Sequence, residues 1–179
     1  MAEAGHGLKS KTQMLIDKLK QRFDAQLLAA ESTRGEEVIT VGRDAAPAVL
    51  RALREEPDFD FKFLIDLTAV DWMGREPRFE VVYQLKSLAR NHRLRVKVPV
   101  PSDDAWVTSA VELWKSADWL ERECFDMFGI NFRDHPDLRR ILMYDSFVGH
   151  PLRKDYPVDR RQPIVAEVDP VKAPRPPSR

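Results

Sequence analysis

The residues best suited to chemistry lie in one short run, residues 121–130, which read ERECFDMFGI. Glu121, Glu123 and Asp126 are carboxylates of the kind that serve in pairs as general acid and general base. On a helix, however, Glu123 and Asp126 lie three residues apart, and Arg122 reaches Asp126 four residues later. Ion pairing within the helix therefore explains these residues without a substrate, and the spacing favours structural or interfacial contacts.

Two histidines and the single cysteine offer the other routes to catalysis. His135 and His150 both precede proline, and neither has a second His or Cys at the spacing of a metal site. Cys124 falls on the apolar side of the predicted helix, where a buried, unreactive thiol is common. An enzyme that holds a metal through Glu121, Glu123 and one of the two histidines is kept as a second hypothesis.

The basic pairs Arg139-Arg140 and Arg153-Lys154 resemble a nucleic-acid-binding patch at first sight. Residues 119–156, however, contain six Lys or Arg and seven Asp or Glu, and this acidic balance argues against a phosphate-backbone site. Arginines among carboxylates and aromatic residues are favoured in protein–protein interfaces, because a guanidinium binds a carboxylate with two parallel hydrogen bonds. The sequence therefore predicts a protein partner and no nucleic acid.

The composition sets further bounds. Lys and Arg together number 29, as do Asp and Glu, so the chain has no basic excess for a nucleic acid or an anionic membrane surface. One cysteine excludes an intrachain disulfide and an iron–sulfur cluster held by this chain alone. No apolar run approaches the ~20 residues of a membrane span, and the first residues lack a targeting pattern. We expect a soluble protein that stays in the compartment where it is made.

The hydrophobic spacing predicts a series of helices and strands that would position the charged run. Apolar residues at helical spacing from Leu15 to Leu27 predict the first helix. Strict alternation of Phe61, Phe63, Ile65, Leu67 and Ala69 predicts a half-buried strand. The remaining predicted elements are strands at 36–41, 79–85 and 93–98, and helices that begin near Asp44, Ser102 and Asp118, the last ending at Gly129.

This order predicts an α+β fold, with a two-layer domain in which helices pack on a mixed sheet of about four strands. We expect residues 1–35 to form a helical extension and residues 36–130 to form the domain. Residues 131–158 would be an extended arm that docks on a partner subunit. Residues 159–179 are rich in proline and contain no glycine, so we expect a tail that is flexible or ordered by a partner.

Three charged segments and three upstream segments resemble one family in the order in which they occur. The family is the 30-kDa subunit, also called the C subunit, of the proton-translocating NADH:quinone oxidoreductase, or respiratory complex I. The resemblance covers roughly residues 36–158. It is carried by WLERECFDMFGI (119–130), HPDLRRIL (135–142) and HPLRKDYP (150–157), and upstream by LIDLTAVDW (64–72), RFEVVYQL (78–85) and HRLRVKVPV (92–100).

The resemblance implies a non-catalytic subunit on the cytoplasmic side of the bacterial inner membrane, which contacts the membrane only through the complex. It implies no cofactor in this chain, with flavin and iron–sulfur clusters in partner subunits. The C-terminal arm would lie along the large D subunit (49-kDa type), beside the cluster-binding subunits of the quinone-reducing module. The alternatives are the equivalent subunit of a membrane-bound hydrogenase or a plastoquinone-reducing complex, and a free-standing protein-binding module.

The predicted interface residues combine those that match the family motifs with one further arginine of the same run. In none of them does the resemblance imply a catalytic role. They are Glu121, Arg122, Glu123, Asp126, His135, Arg139, Arg140, His150, Arg153, Lys154 and Asp155.

Overall fold

A five-stranded mixed sheet is the central element of this computed structural model, which describes residues 11–33 and 36–162. The strand order is β1-β2-β5-β4-β3, and within this sheet β2 and β5 pair in parallel while the other neighbours are antiparallel. The strands are β1 (Leu27–Thr33), β2 (Glu36–Val41), β3 (Phe63–Asp71), β4 (Phe79–Ser87) and β5 (His92–Val100).

Three helices contribute buried residues to the single hydrophobic core on the sheet. They are α1 (Lys11–Phe23), α2 (Ala46–Glu55) and α3 (Ala117–Phe128). A separate ladder pairs β6 (Trp106–Thr108) with β7 (Asn131–Arg133) in parallel. The predicted α+β class, mixed sheet and packed helices are confirmed, with five strands in the main sheet where about four were predicted.

Alternation explains how β5 serves both sides of the sheet. Its apolar residues from Leu94 to Val100 are buried in the core, while its basic residues lie on the opposite face. There Arg95 pairs with Glu36 at 2.8 Å and Lys97 with Glu80 at 3.1 Å. The basic face of β5 is therefore an outer surface whose charges are ion-paired. A largely antiparallel sheet commonly packs one face on the core and leaves the other face to solvent.

The N-terminal segment belongs to the domain, which corrects the boundary predicted at residue 35. Leu19 and Phe23 of α1 are buried in the core. The chain then leaves the helix through a 3₁₀ turn at Asp24–Gln26 and forms β1, an edge strand that pairs with β2. Leu27, predicted at the end of the helix, lies in β1. Residues 1–10 of the predicted extension lie outside the described residues.

A β-bulge breaks the alternation predicted for residues 61–69. Leu64 pairs with Leu85 and Asp66 with Gln84, so Ile65 is an extra residue in β3. Leu64 turns into the core, while Phe63 and Ile65 are exposed. The register returns to the predicted one at Leu67. Single-sequence alternation contains no signal for this insertion, because a bulge is set by pairing with the neighbouring strand.

The helix predicted from Ser102 is wrong. Trp106 to Thr108 form β6, and the chain then makes turns as far as α3. Val107, Ala110, Val111 and Trp114 of this segment are buried, but they reach the core from a strand and turns. The parallel pairing of β6 with β7, more than twenty residues later, overrides the local pattern.

After β7 the chain has no helix or strand as far as residue 162; residues 134–162 are called the arm below. The predicted arm began at residue 131, and its first three residues form β7. The predicted tail lies outside the described residues from position 163 onward. None of the helices in residues 11–33 and 36–162 is long and apolar enough to cross a bilayer.

The position of α1 in the core can be tested with a matched pair of substitutions. Leu19 is fully buried, whereas Met14 on the same helix is exposed. We expect Leu19→Ala to lower the free energy of unfolding by about 2–5 kcal/mol and Met14→Ala to change it by less than about 0.5 kcal/mol, as measured by urea unfolding. If both substitutions changed the free energy of unfolding by the same small amount, α1 would not be part of the core.

Candidate functional site

Helix α3 carries the charged run and ends as predicted. Gly129 adopts a left-handed conformation with φ of 73° and donates its N–H to the carbonyl of Phe125. The predicted apolar stripe is confirmed, since Cys124, Met127 and Phe128 are buried in the core and Leu120 packs against it. Burial raises the pKa of Cys124, so the thiol stays protonated and unreactive.

Asp126 is a fully buried carboxylate that gathers donors from the arm. Its Oδ1 accepts a hydrogen bond from Arg140 Nη1 at 2.6 Å. Its Oδ2 accepts the backbone N–H groups of Ile141, Leu142 and Met143 at 3.1, 2.8 and 2.8 Å. Burial by itself would raise the pKa of Asp126, but the backbone donors and Arg140 outweigh it, and the pKa lies below the usual value.

The predicted ion pair between Arg122 and Asp126 does not form. The guanidinium of Arg122 donates to the carbonyl groups of Arg139 and Arg140 at 3.1 and 3.2 Å. Both residues of α3 therefore bind the arm instead of each other. The side chain of Arg139 points outward and pairs with Asp137.

His150 and Arg153 fix the second half of the arm against the end of α3. His150 Nδ1 donates to the carbonyl of Asp126 at 2.9 Å, and burial lowers the pKa of this histidine, so the ring is neutral. Arg153 Nε donates to the carbonyl of Phe128. A Cβ atom on Gly129 would lie 2.5 Å from His150 Nε2 and 2.7 Å from Arg153 Nη2. Glycine is thus required there for the backbone angle and for the close approach.

A second buried carboxylate, Asp71 at the end of β3, holds the arm at its other attachment. Arg78 binds Asp71 through Nε and Nη2 at 2.9 and 2.8 Å, and it binds Asp155 of the arm at 2.8 and 2.9 Å. The backbone N–H of Lys154 donates to Asp71 Oδ2 at 2.8 Å. The hydrogen bond from Arg78 holds the pKa of Asp71 below its usual value.

Asp71 and Arg78 belong to this site, although neither was predicted from the sequence. A signal was present, because Asp71 continues the inward register of Leu67 and Ala69. A carboxylate at an inward position of a strand must find a charged or hydrogen-bonding partner. The sequence did not show that Arg78, at the start of the next strand, would supply it.

Glu121 is also fully buried, but its donors are neutral groups of the domain itself. Its Oε1 accepts the N–H of Ala110 at 2.6 Å and its Oε2 accepts the hydroxyl of Ser109 at 2.7 Å. Burial raises the pKa of Glu121 to about 7. Glu121 was predicted as an interface residue, but both of its oxygens bind groups of the domain itself.

His135 connects the beginning of the arm to α3. Its Nδ1 accepts the N–H of Asp137 at 3.0 Å, so its Nε2 carries the proton and donates to the carbonyl of Asp118 at 3.2 Å. The same Nε2 lies 4.0 Å from Glu121 Oε2. The ring of His135 is therefore a structural contact between the arm and α3.

The residues of the metal-enzyme hypothesis do not form one site. Glu121 and His135 are neighbours, but His150 binds a carbonyl elsewhere on α3, and Glu123 is exposed. Within the described residues, no group of three His, Cys, Asp or Glu side chains is arranged to hold a metal ion.

The arm leaves large side chains exposed to solvent. While polar groups of the arm bind α3 and Arg78, five large apolar or aromatic side chains of residues 134–162 are exposed, one of them Val158 near the end of the arm. We call the other four the outer face of the arm: Leu142, Tyr144, Val148 and Leu152.

Comparison with known proteins places this geometry in a family. Residues 39–162 match the model described as "Respiratory-chain NADH dehydrogenase, 30 Kd subunit". A relative from Citrifermentans bemidjiense, named as the C subunit of NADH-quinone oxidoreductase, is 52% identical over 143 residues, 80% of this chain and 88% of the relative. A relative of the same name from Geobacter sulfurreducens is 48% identical over 80% of this chain and 88% of the relative. Another from Rhodobacter capsulatus is 44% identical over 84% of this chain and 75% of the relative.

Two solved structures share the fold. One is described as Nqo5, trypsin-resistant fragment 1–134, and matches with a TM-score of 0.61 and 32% identity over 69% of this chain and 98% of that chain. The other belongs to an archaeal membrane-bound sulfane sulfur reductase, with a TM-score of 0.71 over 83% of this chain and 87% of that chain. At 22% identity, the second shows the fold alone.

The anchoring role of Asp126 can be tested with Asp126→Asn in the full chain. An amide has one acceptor oxygen, so its NH₂ group must face either Arg140 or the N–H groups of residues 141–143, and donors then meet donors. We expect Asp126→Asn to weaken the attachment of the arm to the domain by about 3–5 kcal/mol. Trypsin should then cleave at Arg139 and Arg140 faster by about 100-fold or more. Asp145→Asn, at an exposed carboxylate of the same arm, is the control. Unchanged cleavage in Asp126→Asn would contradict this role.

The raised pKa of Glu121 predicts a pH dependence of stability. Between its ordinary value of 4.5 and the folded value of about 7, the folded chain binds more protons than the unfolded chain. The free energy of unfolding therefore falls as the pH rises through this window, by about 3 kcal/mol for Glu121 alone.

Glu121→Gln removes the titration and keeps both hydrogen bonds, because the Ser109 hydroxyl accepts as well as donates. We expect the free energy of unfolding of Glu121→Gln, measured by urea unfolding, to rise relative to that of the wild type between about pH 4.5 and pH 7. The expected rise is about 3 kcal/mol, which is the stability that the Glu121 carboxyl group loses over this range. Glu123→Gln, at an exposed position of the same helix, should follow the wild type. Parallel curves for the wild type and Glu121→Gln would show that folding does not raise the pKa of Glu121.

Proposed function

Because the chain belongs to the family of the 30-kDa subunit of the respiratory-chain NADH dehydrogenase, we propose that its arm is the contact through which it joins the quinone-reducing module of that complex. The chain is a non-catalytic subunit of NADH:quinone oxidoreductase, a multi-subunit enzyme. Its role is to support assembly and to shape the region beside the catalytic subunits.

The observation that carries this proposal is that polar groups attach the arm to the domain while large apolar side chains on it stay exposed. Asp126 binds Arg140 and three backbone N–H groups of the arm, and Asp71 binds the N–H of Lys154. Leu142 and Leu152 are left exposed by the same conformation. A segment without helix or strand that is pinned in this way presents apolar side chains in fixed positions, which lowers the entropic cost of binding a partner.

The partner of the outer face is the large 49-kDa subunit, with neighbouring cluster-binding subunits. Flavin and iron–sulfur clusters belong to the partner subunits, and the chain lies on the cytoplasmic side of the inner membrane as a peripheral component. The description of one relative as a trypsin-resistant fragment of residues 1–134 supports a division between a stable domain and a separable C-terminal segment. A hydrogenase-type complex is not favoured, because the relatives from Citrifermentans bemidjiense, Geobacter sulfurreducens and Rhodobacter capsulatus are all named as the C subunit of NADH-quinone oxidoreductase.

A pull-down of the tagged chain from gently solubilised membranes tests the proposal. We expect the wild-type chain to bring down the 49-kDa subunit, iron, flavin and NADH:quinone activity. The double variant Leu142→Ser/Leu152→Ser should lower this recovery by about tenfold or more, because burying each leucine contributes about 1.5–3 kcal/mol. Recovery of clusters without flavin or NADH oxidation would instead identify a hydrogenase-type or plastoquinone-reducing complex.

The matched control is Leu28→Ser/Leu88→Ser, which removes two exposed leucines from the domain surface away from the arm. We expect this control to assemble like the wild type. Equal recovery of both double variants would contradict a docking role for the outer face of the arm.

A further inference from the structure

The outer face of the main sheet, opposite the core, carries one row of side chains across β3, β4 and β5. Phe63 pairs with Lys86, and Lys86 pairs with Arg93. Leu85 and Leu94, one position away, are buried in the core, so Lys86 and Arg93 point to the outer face. Phe63 is 52% exposed beside them.

Two side chains of this row are like charges that stand directly opposite each other. Lys86 and Arg93 are cross-strand partners in an antiparallel pair, where Cβ atoms lie about 5 Å apart and like charges repel. Arg93 is the exception on the outer face of β5, because Arg95 and Lys97 each bind a glutamate, at 2.8 and 3.1 Å. Within residues 11–33 and 36–162, neither Lys86 nor Arg93 forms an ion pair. The row therefore contains a repulsion that a bound anion would relieve.

The nearby carboxylates do not neutralise these two cations. Glu36 is bound to Arg95, and Glu37 lies at a buried, inward position of β2. Asp66 is exposed in the next row, opposite Gln84, and it forms no ion pair within the described part of the chain. Two free cations thus stand against one free carboxylate, and this part of the outer face keeps a positive charge.

A groove lies beside the cations on the same face. Arg93 lines one side of it, Gln84 and Arg95 of the next row line the other, and Ile65 lies at its β3 end. The volume of the groove is about 290 Å³, at the lower limit of the ~300–1,000 Å³ that small-molecule sites have. The groove therefore suits one or two side chains better than a cofactor.

The β-bulge supplies the apolar part of this surface. Ile65 is the extra residue of β3 and is 53% exposed. Continued alternation with Leu67 would have turned both Phe63 and Ile65 into the core. Bulges at sheet edges often re-aim a side chain toward a site. Here the bulge places two large apolar side chains beside two unpaired cations.

We propose that this surface binds a segment of another subunit that carries Asp or Glu next to a large apolar side chain. We call the surface the outer groove; it comprises Phe63, Ile65, Gln84, Lys86 and Arg93. The carboxylate lies between Lys86 and Arg93, where a guanidinium can donate two parallel hydrogen bonds. The apolar side chain packs on Phe63 and Ile65. The inference rests on the chain being one component of a multi-subunit enzyme and not on which other component contacts the arm.

The charge around the groove favours a protein carboxylate over a nucleic acid or an anionic membrane surface. A phosphate backbone needs several cations along its path, but Glu36 and Asp66 line the same groove and would repel successive phosphates. The chain as a whole has equal numbers of basic and acidic residues. Arginine and aromatic side chains are enriched in protein–protein interfaces. A single carboxylate beside an apolar side chain therefore matches both the charge and the apolar surface.

The outer groove and the second attachment of the arm lie at opposite ends of β3. Phe63 is the first residue of the strand, and Asp71, which binds the N–H of Lys154, is the last. At about 3.3 Å per residue, the two ends lie roughly 25 Å apart. The outer groove is therefore a second contact surface, which reaches a different part of the complex.

Zero-length carbodiimide cross-linking of the native complex tests the proposal without any substitution. A carbodiimide joins a lysine amine to a carboxylate only where the two groups are in contact. We expect Lys86 to be joined to one Asp or Glu of another subunit, with a large apolar residue within about four positions of it. Lys97, on the same face, lies 3.1 Å from Glu80 and is the control, which should be joined to Glu80 alone.

Substitutions separate the contributions of charge and apolar surface. Arg93→Gln should lower the yield of the Lys86 cross-link on the order of fivefold, the effect of losing one ion pair, and Phe63→Ser should lower it by about tenfold. Lys97→Gln breaks the neighbouring ion pair on the same face and should leave the yield unchanged. In the free chain, Arg93→Gln should unfold at a temperature no lower than the wild type, because the substitution removes a repulsion.

Several outcomes would overturn the proposal. They are a Lys86 cross-link confined to Asp66 or another carboxylate of this chain, a link to a second copy of it, and acetylation of Lys86 that is equally fast in the free chain and in the complex. Equal cross-link yields from the wild type, Arg93→Gln and Phe63→Ser would also contradict it. A lower unfolding temperature of Arg93→Gln in the free chain would show that Arg93 has a partner within the fold, with the same consequence.

The arm contact is tested separately by the recovery of Leu142→Ser/Leu152→Ser. A Lys86 cross-link together with unchanged recovery of that double variant would reject the proposed arm contact alone. Reduced recovery of the double variant, without a Lys86 cross-link in the wild-type complex, would reject the outer groove alone.

Discussion

The conformation of the arm depends on one buried carboxylate. Asp126 has no exposed surface, and an ionised group in that position is tolerated only if donors replace its water. Arg140 supplies a charge, and three consecutive backbone N–H groups converge on one oxygen. Those N–H groups would otherwise need strand or helix partners. The carboxylate thus accepts the hydrogen bonds that a neighbouring strand or a helix would otherwise accept, and it fixes the backbone at residues 141–143.

The second attachment, through Asp71, gives the arm a defined path. Arg78 is held between Asp71 and Asp155, and its guanidinium also lies 5.0 Å from the centre of the Phe79 ring. Because Asp71 is the last residue of β3 and Arg78 immediately precedes β4, this clamp is built on the rigid sheet. Both anchoring aspartates have lowered pKa values. Their contribution to stability is present above the unfolded value of 3.8 and is lost as the pH falls through the folded values.

The sequence identified the residues of the arm better than their partners. Helical spacing offered Arg122 for Asp126, but Arg140 from the arm binds it instead. Spacing along a helix reveals only neighbours on the same helix. The bulge at Ile65 and the strand β6 were missed for a related reason, since both are set by pairing with distant strands. Elements with strong local patterns, such as β5 and the end of α3 at Gly129, were predicted correctly.

Three of the four carboxylates of α3 show how one helix serves different surfaces. Glu121 faces the core, where only neutral donors reach it, and its pKa is raised to about 7. Asp126 faces the arm, where a guanidinium and three amides keep it charged. Glu123 faces solvent. The opposite shifts of two buried acids five residues apart follow from their donors, because desolvation acts on both. The charge in this run is therefore divided among packing, arm attachment and an outer surface, and it does not converge on a reacting centre.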